Sequence, residues 1–405
     1  MAQNKKIIKD KESKNRAYLS SIIAIVVGLL FGYIVLLVAN PSQATDGFLQ
    51  IITGAVTNDM KGIGQVFYYA TPIMLTGLSV AFAFKTGLFN IGTPGQFIVG
   101  AYAGIYVGVK FTSLGAIHWI VALLAACIAG AVWALVPGIL KAFCNVNEVI
   151  SAIMMNYIGM YLVNYLLKGN AALFNSLKNE SNPVAESATI PKFGLDKIFE
   201  GSAVGGGIII ALIIVIIMYI VLNKTTFGYE LKAVGFNREA SKYAGINEKR
   251  GIILSMAIAG ALAGIGGGLL YLGGSGKYIE VVDVLAPEGF NGISVALLGL
   301  SNPIGVAFSA IFIAYITQGG FYLQLFDFAP EIIDIIIAVI IYFSAFALIL
   351  QAMYSNYMKK RRNKRAEEAL AAAQANIPGK PAEQTIEVPI DELEVVENKE
   401  EGDDV

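Results

Sequence analysis

Lys224-Thr-Thr-Phe-Gly-Tyr-Glu-Leu-Lys-Ala-Val-Gly-Phe-Asn-Arg-Glu-Ala-Ser-Lys-Tyr-Ala-Gly-Ile-Asn247 is a polar interruption, running on to Arg250, between two strongly apolar halves of the chain. Asn237 is placed to cap a short helix, Glu239 sits at its positive end, Lys242 falls in its last turn, and Gly245 supplies a left-handed stop. The spacing predicts two helical turns over Arg238 to Ala244, with Ala240, Tyr243 and Ala244 forming a small apolar face among charges. A helix this short is marginal alone in water, so it is expected to dock on something. The alternative is a solvated loop joining two membrane helices.

The flanking halves carry the class assignment. Of 405 residues, 56% are hydrophobic and 15% charged, which places the chain among polytopic membrane proteins. A net charge of -1 hides strong segregation, with charges gathered at both ends and in the central loop. Cys127 and Cys144 lie in or beside apolar segments, where they read as small buried hydrophobes and not as a disulfide framework. Lys5, Lys6, Lys9, Lys11, Lys14 and Arg16 precede an apolar run from Tyr18 to Ala39. That run, ~22 residues, exceeds a signal-peptide core and can span a bilayer.

Apolar windows of ~20 residues predict crossings near 18–39, 63–84, 88–109, 117–140, 148–167, 204–222, 251–272, 289–301, 304–322 and 331–350. The expected fold is therefore an all-α polytopic membrane protein with about ten transmembrane helices. With the N-terminus inside, twenty Lys and Arg fall on inner segments against seven on outer ones, so both termini and the central loop 224–250 are expected in the cytoplasm. Domain boundaries follow: a basic tail at 1–17, a transmembrane region at 18–350 with an external loop at 168–203, and a basic then acidic tail at 351–405. The acidic tail lacks the apolar residues needed to order itself. The external loop is a candidate landing surface for an extracytoplasmic partner, or a plain connection.

Two stretches break the helical pattern at membrane depth. Gly87, Gly92, Pro94 and Gly95 crowd the start of the third span, and broken backbone is tolerated there only where protein or a water-filled cavity satisfies it. Asn90, Thr93 and Gln96 thus become candidates for a translocation pathway, with a tight cytoplasmic turn as the alternative. Glu288-Gly-Phe-Asn-Gly-Ile-Ser294 opens the eighth span. Inverted-repeat transporters show interruptions at matching positions of both halves, so Phe89-Asn90 and Phe290-Asn291, with Ser294, are expected to be counterparts. Asn156, beside Met154 and Met155, either lines a cavity or packs between helices.

Other features read as structural. Glycines at 100, 104 and 108 and at 260, 264 and 268 predict close helix packing. Gly273-Gly-Ser-Gly-Lys277 lacks the spacing of a phosphate loop, so the chain is not expected to bind ATP itself. Asp334 and Glu331 read as interfacial, and His118 as an interface residue before Trp119. No catalytic or metal motif is present, and no cofactor is expected on this chain.

Glu230-Leu-Lys-Ala-Val-Gly235, followed by Asn237, Ala240, Tyr243, Ala244 and Gly245, resembles the coupling loop of importer permeases of the ATP-binding cassette (ABC) class. Gly87-Leu-Phe-Asn-Ile-Gly92, followed by Gly95-Gln96, is similar to a hallmark of the nucleoside and simple-sugar branch, which also includes branched-chain amino acid permeases. Pro94 stands where several members carry an acidic residue, so no carboxylate role carries over to that position. The resemblance covers most of residues 18–350 and implies a type II-like importer permease. It implies a separate ATPase subunit holding ATP and Mg, contacted through Glu230, Asn237, Arg238, Glu239, Ala240, Lys242 and Tyr243. It further implies a second related permease, different or identical in chain, an extracytoplasmic substrate-binding lipoprotein, and a place in the bacterial cell membrane. No nucleic-acid partner is implied. The expected solute is neutral and polar, a nucleoside first, with Phe89 and Phe290 placed to stack on a base. A simple sugar such as ribose and an ion-coupled secondary carrier are the alternatives.

Overall fold

Apolar segments in a bilayer must satisfy their backbone groups internally, and the computed structural model is accordingly almost all helix. It describes residues 25–57, 59–329 and 331–340, together with Ile23, Tyr342, Phe343, Tyr357 and Arg361. The basic N-terminal tail, the end of the span expected at 331–350 and the acidic tail lie outside the described residues. The chain divides into two units, Met1–Gln351 and Ala352–Val405, and the first carries everything below.

The helices are α1 (Ile25–Ala39), α2 (Ala44–Thr57), α3 (Asp59–Lys85), α4 (Thr93–Lys110), α5 (His118–Cys144), α6 (Glu148–Lys168), α7 (Leu195–Ile198), α8 (Gly207–Lys224), α9 (Thr226–Phe236), α10 (Arg238–Tyr243), α11 (Glu248–Tyr271), α12 (Pro287–Leu298) and α13 (Pro303–Phe321). A further helix covers 331–340. Among the described residues, six segments are long and apolar enough to cross a membrane: those built on α3, α5, α6, α8, α11 and α13. The chain is thus an all-α polytopic membrane protein, with six such segments among the described residues where the sequence predicts about ten crossings.

Among the described residues, α2 is the longest helix with no counterpart among the expected spans. α2 carries Asp46, Gln50, Thr53 and Thr57, which dilute its hydropathy, and its 14 residues extend only ~21 Å, too short for a bilayer. It is held against α13 instead, where Tyr315 donates to the Ile52 carbonyl and Gly319 packs on the Ile51 backbone.

α3 is the hub. Its side chains from Ala70 to Ala83 are all buried, and α2, α8, α11, α12 and α13 pack around it. α11 lies against α4 and α5 at contact so close that a Cβ on Gly100 would fall 2.4 Å from the Gly264 Cα, and one on Gly130 2.3 Å from the Gly260 carbonyl oxygen. The small-residue spacing therefore serves packing, as its sequence predicts. Trp133 fixes α5 to α6 by donating to the Met155 carbonyl at 3.1 Å.

His118 differs from the expected interface residue. It is fully buried, with Nε2 2.9 Å from the Val107 carbonyl and Nδ1 2.8 Å from Ser187 Oγ. A carbonyl can only accept, so Nε2 carries a proton, and the ring ties the end of α4 to the 168–203 connection. That connection is itself ordered: a two-residue hairpin pairs Phe174 with Ser181 and Asn175 with Glu180, and Glu180 bridges onward to Glu280.

Candidate functional site

The site is built where α3 stops. Gly87, at φ +72°, ends the helix in a left-handed turn: its N–H reaches the Phe84 carbonyl, and the Leu88 N–H reaches the Ala83 carbonyl. The chain then runs without regular structure to Thr93, where Pro94 starts α4. Ser79, which bonds to this stretch, lies six residues before Lys85, so the break rides ~9 Å above the end of α3.

Every polar side chain flagged in this break is used to hold its shape. Asn90 is fully buried; its Nδ2 donates to Gln96 Oε1 at 2.9 Å and to Ser79 Oγ at 3.1 Å, and its Oδ1 accepts from Gln96 Nε2 at 2.9 Å. Thr93 donates to the Asn90 carbonyl at 3.0 Å. Asn156, reaching across from α6, accepts from the Gly95 N–H at 2.9 Å and donates to the Ile91 carbonyl at 3.0 Å. The interruption is therefore satisfied by protein and not by an open cavity at these atoms. Phe89 is half-buried and stacks on Phe84, with centroids 5.3 Å apart and planes 12° from parallel.

The second break precedes α12, which Pro287 starts. Thr76 donates to the Glu288 carbonyl at 2.8 Å, and Glu288 itself pairs with Lys277 at 2.8 Å. Burial pulls the Lys277 ammonium down, but the adjacent carboxylate and its hydrogen bond outweigh that and leave the group above its ordinary value. Gly289 abuts Pro94 so closely that a Cβ would lie 2.5 Å from the Pro94 Cα. The starts of α4 and α12 thus meet at Thr93-Pro94-Gly95 and Pro287-Glu288-Gly289.

This corrects the expected correspondence of the two Phe-Asn pairs. Asn90 lies in irregular backbone before α4 and is wholly buried, whereas Asn291 sits inside α12 and is half-buried. Phe290 is 39% exposed and Ser294 is buried. Thr76 and Ser79 were not singled out from sequence, although hydroxyls in an otherwise apolar span are the signal that marks them, and Glu288 was named only as the start of the second interrupted stretch. A cavity of about 190 Å³ adjoins the second break, lined by Ser181, Asn182, Tyr271, Tyr278 and the Lys277 that pairs with Glu288.

The central polar stretch folds as two helices. α9 is capped by Thr225, whose hydroxyl accepts from the Gly228 N–H at 3.1 Å, and it is anchored by buried Leu231 and Val234. α10 covers Arg238 to Tyr243, ending one residue before the expected Ala244. Asn237 caps it by accepting from the Ala240 N–H at 3.0 Å, and Gly245, at φ +80°, closes it through Gly245 N–H to Lys242 and Ile246 N–H to Ser241. Arg238 forks onto Glu248 at the start of α11, one arm at 3.2 Å; that hydrogen bond raises the guanidinium above its already high value. Glu230, Asn237, Glu239, Ala240 and Lys242 are exposed, as is Tyr243 at 93%, while Arg238 is half-buried.

Platform and break are packed together. Val234 of α9 shares one small core with Ala83, with Leu88 of the break and with Ile252 and Met256 of α11. Gly235 lies directly on the backbone, where a Cβ would come 2.5 Å from the Lys85 carbonyl oxygen. Thr86 and Ser255 close the arrangement with a buried hydroxyl pair.

Comparison with known proteins gives this arrangement a context. A family model described as branched-chain amino acid transport system / permease component matches residues 62–345. The chain is similar to the guanosine ABC transporter permease protein NupP of Bacillus subtilis, 38% identical over 84% of this chain and 97% of that one. It is 34% identical to the nucleoside ABC transporter permease protein NupB of Lactococcus lactis, over 84% and 94% of the two chains. It is 31% identical to the glucose ABC transporter permease protein TsgB13 of Haloferax volcanii, over 81% and 87%. Permeases of the first two organisms also match at lower identity, NupQ at 27% and NupC at 24%. No solved structure matches the chain.

Proposed function

The chain belongs to the branched-chain amino acid transport system permease family, the membrane-spanning and non-enzymatic subunits of ABC importers, and we propose that its solute is a nucleoside. The two relatives of highest identity above carry guanosine and nucleoside in their names, and nearly their whole lengths align. Among the described residues, the buried polar side chains are those of Ser, Thr, Asn, Gln and His, with no buried carboxylate or ammonium. A neutral solute with hydroxyl and amide groups suits a permease whose buried polar groups are uncharged. The same absence weighs against an ion-coupled carrier, which needs titrating groups within the membrane.

The observation that carries the mechanism is the packing of Gly235 and Val234 on the backbone and side chain of residues 85–88. A separate ATPase, binding ATP and Mg, grips α10 through Glu230, Asn237, Arg238, Glu239, Ala240, Lys242 and Tyr243. Its closure moves α9, α10 and the start of α11 as one piece, because the Arg238–Glu248 fork ties α10 to α11 and Val234 of α9 packs with Ile252 and Met256 of α11. The movement reaches the break at Asn90, where α4 and α12 meet, and alternates access to the route. Asn90, Thr93, Gln96 and Asn156 keep the break in shape, while Phe89, Phe290, Asn291 and Ser294 border the route. A second, related permease completes the path, since NupP with NupQ and NupB with NupC occur as pairs of permeases within one organism. A binding lipoprotein delivers the solute on the side opposite α10, and both termini lie in the cytoplasm.

Uptake of radiolabelled guanosine by a deletion strain carrying the reconstituted importer tests this reading. Competition by unlabelled adenosine or inosine, with none by ribose, is the expected result; competition by ribose or glucose alone selects the simple-sugar reading, for which the similarity to TsgB13 speaks.

A further inference from the structure

The cavity beside the second break is firmly built, and its polar groups are only partly used. α11 starts at the central polar stretch and runs 24 residues, ~36 Å, so its last residue, Tyr271, lies on the face opposite α10. The loop that follows is tied down at four points. The Leu272 carbonyl accepts from the Ile190 N–H at 2.9 Å, the Ser275 and Tyr68 hydroxyls bond at 2.9 Å, Lys277 pairs with Glu288 at 2.8 Å, and the Ile279 N–H donates to Ser181 Oγ at 3.1 Å. Gly274 and Gly276 turn the loop at φ +66° and +74°, and a Cβ on Gly276 would meet nothing within 4 Å. A space of about 190 Å³ is thus framed by this loop, the end of α11 and residues 181–189.

The lining is of two kinds. Ile105, Pro183 and Val184 supply an apolar side, and Tyr271 and Tyr278 add ring faces to it. The polar groups keep bonding capacity to spare. Neither tyrosine hydroxyl bonds to protein among the described residues. Ser181 Oγ accepts from the Ile279 N–H and still has its own proton to give, and Asn182 spends its Nδ2 on the Ala172 carbonyl at 3.1 Å, leaving Oδ1 without a donor.

Charge and size then narrow the ligand. Lys277 is the one charged residue on the lining, and Glu288 engages its ammonium, so the space offers no net charge to a phosphate or a carboxylate. Pockets for drug-sized ligands run to about 300–1,000 Å³, so this one takes a single ring and not a whole nucleoside. Hydroxyls that rotate, donate and accept match ligand hydroxyls that do the same, and tyrosine rings beside aliphatic side chains match the C–H face of a sugar. The edge of a base, whose donors and acceptors are fixed in place, gains less from such a lining.

We propose that this cavity is a subsite on the outer face for a neutral sugar ring, either the ribose of a nucleoside or a free monosaccharide. A ring seated there rests against a loop that Ser275 joins to α3 and Lys277 joins to α12. The base of a nucleoside stays outside the cavity, which suits a subsite that treats guanosine and adenosine alike. For a nucleoside the assignment rests on the solute reading above; for the sugar ring it does not.

The test uses the assembled importer, with ATPase and second permease, in lipid nanodiscs without ATP, and reads hydrogen exchange by mass spectrometry in peptides covering residues 181–190 and 272–280. Saturating guanosine and adenosine are expected to slow exchange in both peptides several-fold. Guanine, which has no sugar, and 2′,3′-dideoxyguanosine, which lacks the ring hydroxyls, are expected to leave it unchanged. Protection by ribose or glucose and not by guanosine keeps the sugar subsite and removes the nucleoside reading. Protection by guanine equal to that by guanosine overturns the subsite. Normal guanosine uptake with no protection by guanosine or by either sugar also overturns it, while leaving the nucleoside reading intact. Tyr278→Phe and Tyr271→Phe each remove one hydroxyl and keep the ring, and each is expected to raise the KM for guanosine uptake about three- to tenfold at unchanged kcat, the loss of one hydrogen bond. Parental KM values in both variants overturn the assignment of these hydroxyls to the ligand.

Discussion

The two breaks in the helical pattern look alike in sequence and are buried to different degrees. The one before α4 is dry and locked: Asn90 and Gln96 bond each other twice, Asn156 clamps the Gly95 N–H and the Ile91 carbonyl, and α9 presses on it from the side. The one before α12 is held by Thr76 on the Glu288 carbonyl, by the Lys277–Glu288 pair and by Asn164 on the Val282 carbonyl and Asp283, and it carries half-exposed Phe290 and Asn291. A buried break next to the central polar stretch and a more exposed one beyond it suit a device in which one end receives force and the other meets the solute. Since Gly289 abuts Pro94, a shift of the first is felt by the second.

The largest expected effect comes from breaking the locked side. Asn90→Leu orphans the Gln96 amide and removes a partner from Ser79, each costing about 1–3 kcal/mol where buried. It should lower the yield of folded protein and its Tm by several degrees; wild-type thermal stability in detergent would show that the Asn90–Gln96 pair does not hold the break. Asn156→Leu should follow, with a smaller loss of Tm and a strong loss of uptake, read by the same melt and by radiolabelled guanosine. On the more exposed side, Asn291→Leu should leave the melt unchanged and reduce uptake several-fold, and unaltered uptake removes Asn291 from the route. The smallest effect is expected for Lys277→Ala. Its partly exposed pair with Glu288 contributes at most about 1 kcal/mol, so uptake should change less than threefold and become less sensitive to salt.

Much of this was legible from residues close in sequence. The Asn237 cap, the Gly245 stop and the Pro-started helices depend on chemistry within four or five positions, and they are found where local rules put them. The span boundaries follow from the cost of polar groups in hydrocarbon, and most agree within a few residues. α2 escaped because a short helix held by another helix needs no long apolar run. The polar residues of the first break were visible, but not their use, since Asn156 lies sixty-one positions from Gly95 and Ser79 belongs to another helix. The resemblance of Phe89-Asn90 to Phe290-Asn291 misled for the same reason: two short identical strings say nothing of which one is buried.

The central claim is that force enters at α10 and reaches the break through the contact of Gly235 with residues 85–87. Gly235→Val drives a branched side chain into the Lys85 carbonyl while leaving the exposed face of α10 untouched. Guanosine uptake and ATP hydrolysis by the purified complex in liposomes, measured side by side, are the direct test. The variant should still co-purify with its ATPase and hydrolyse ATP at a basal rate, with uptake reduced at least tenfold. Uptake at the parental rate per ATP hydrolysed would contradict the account.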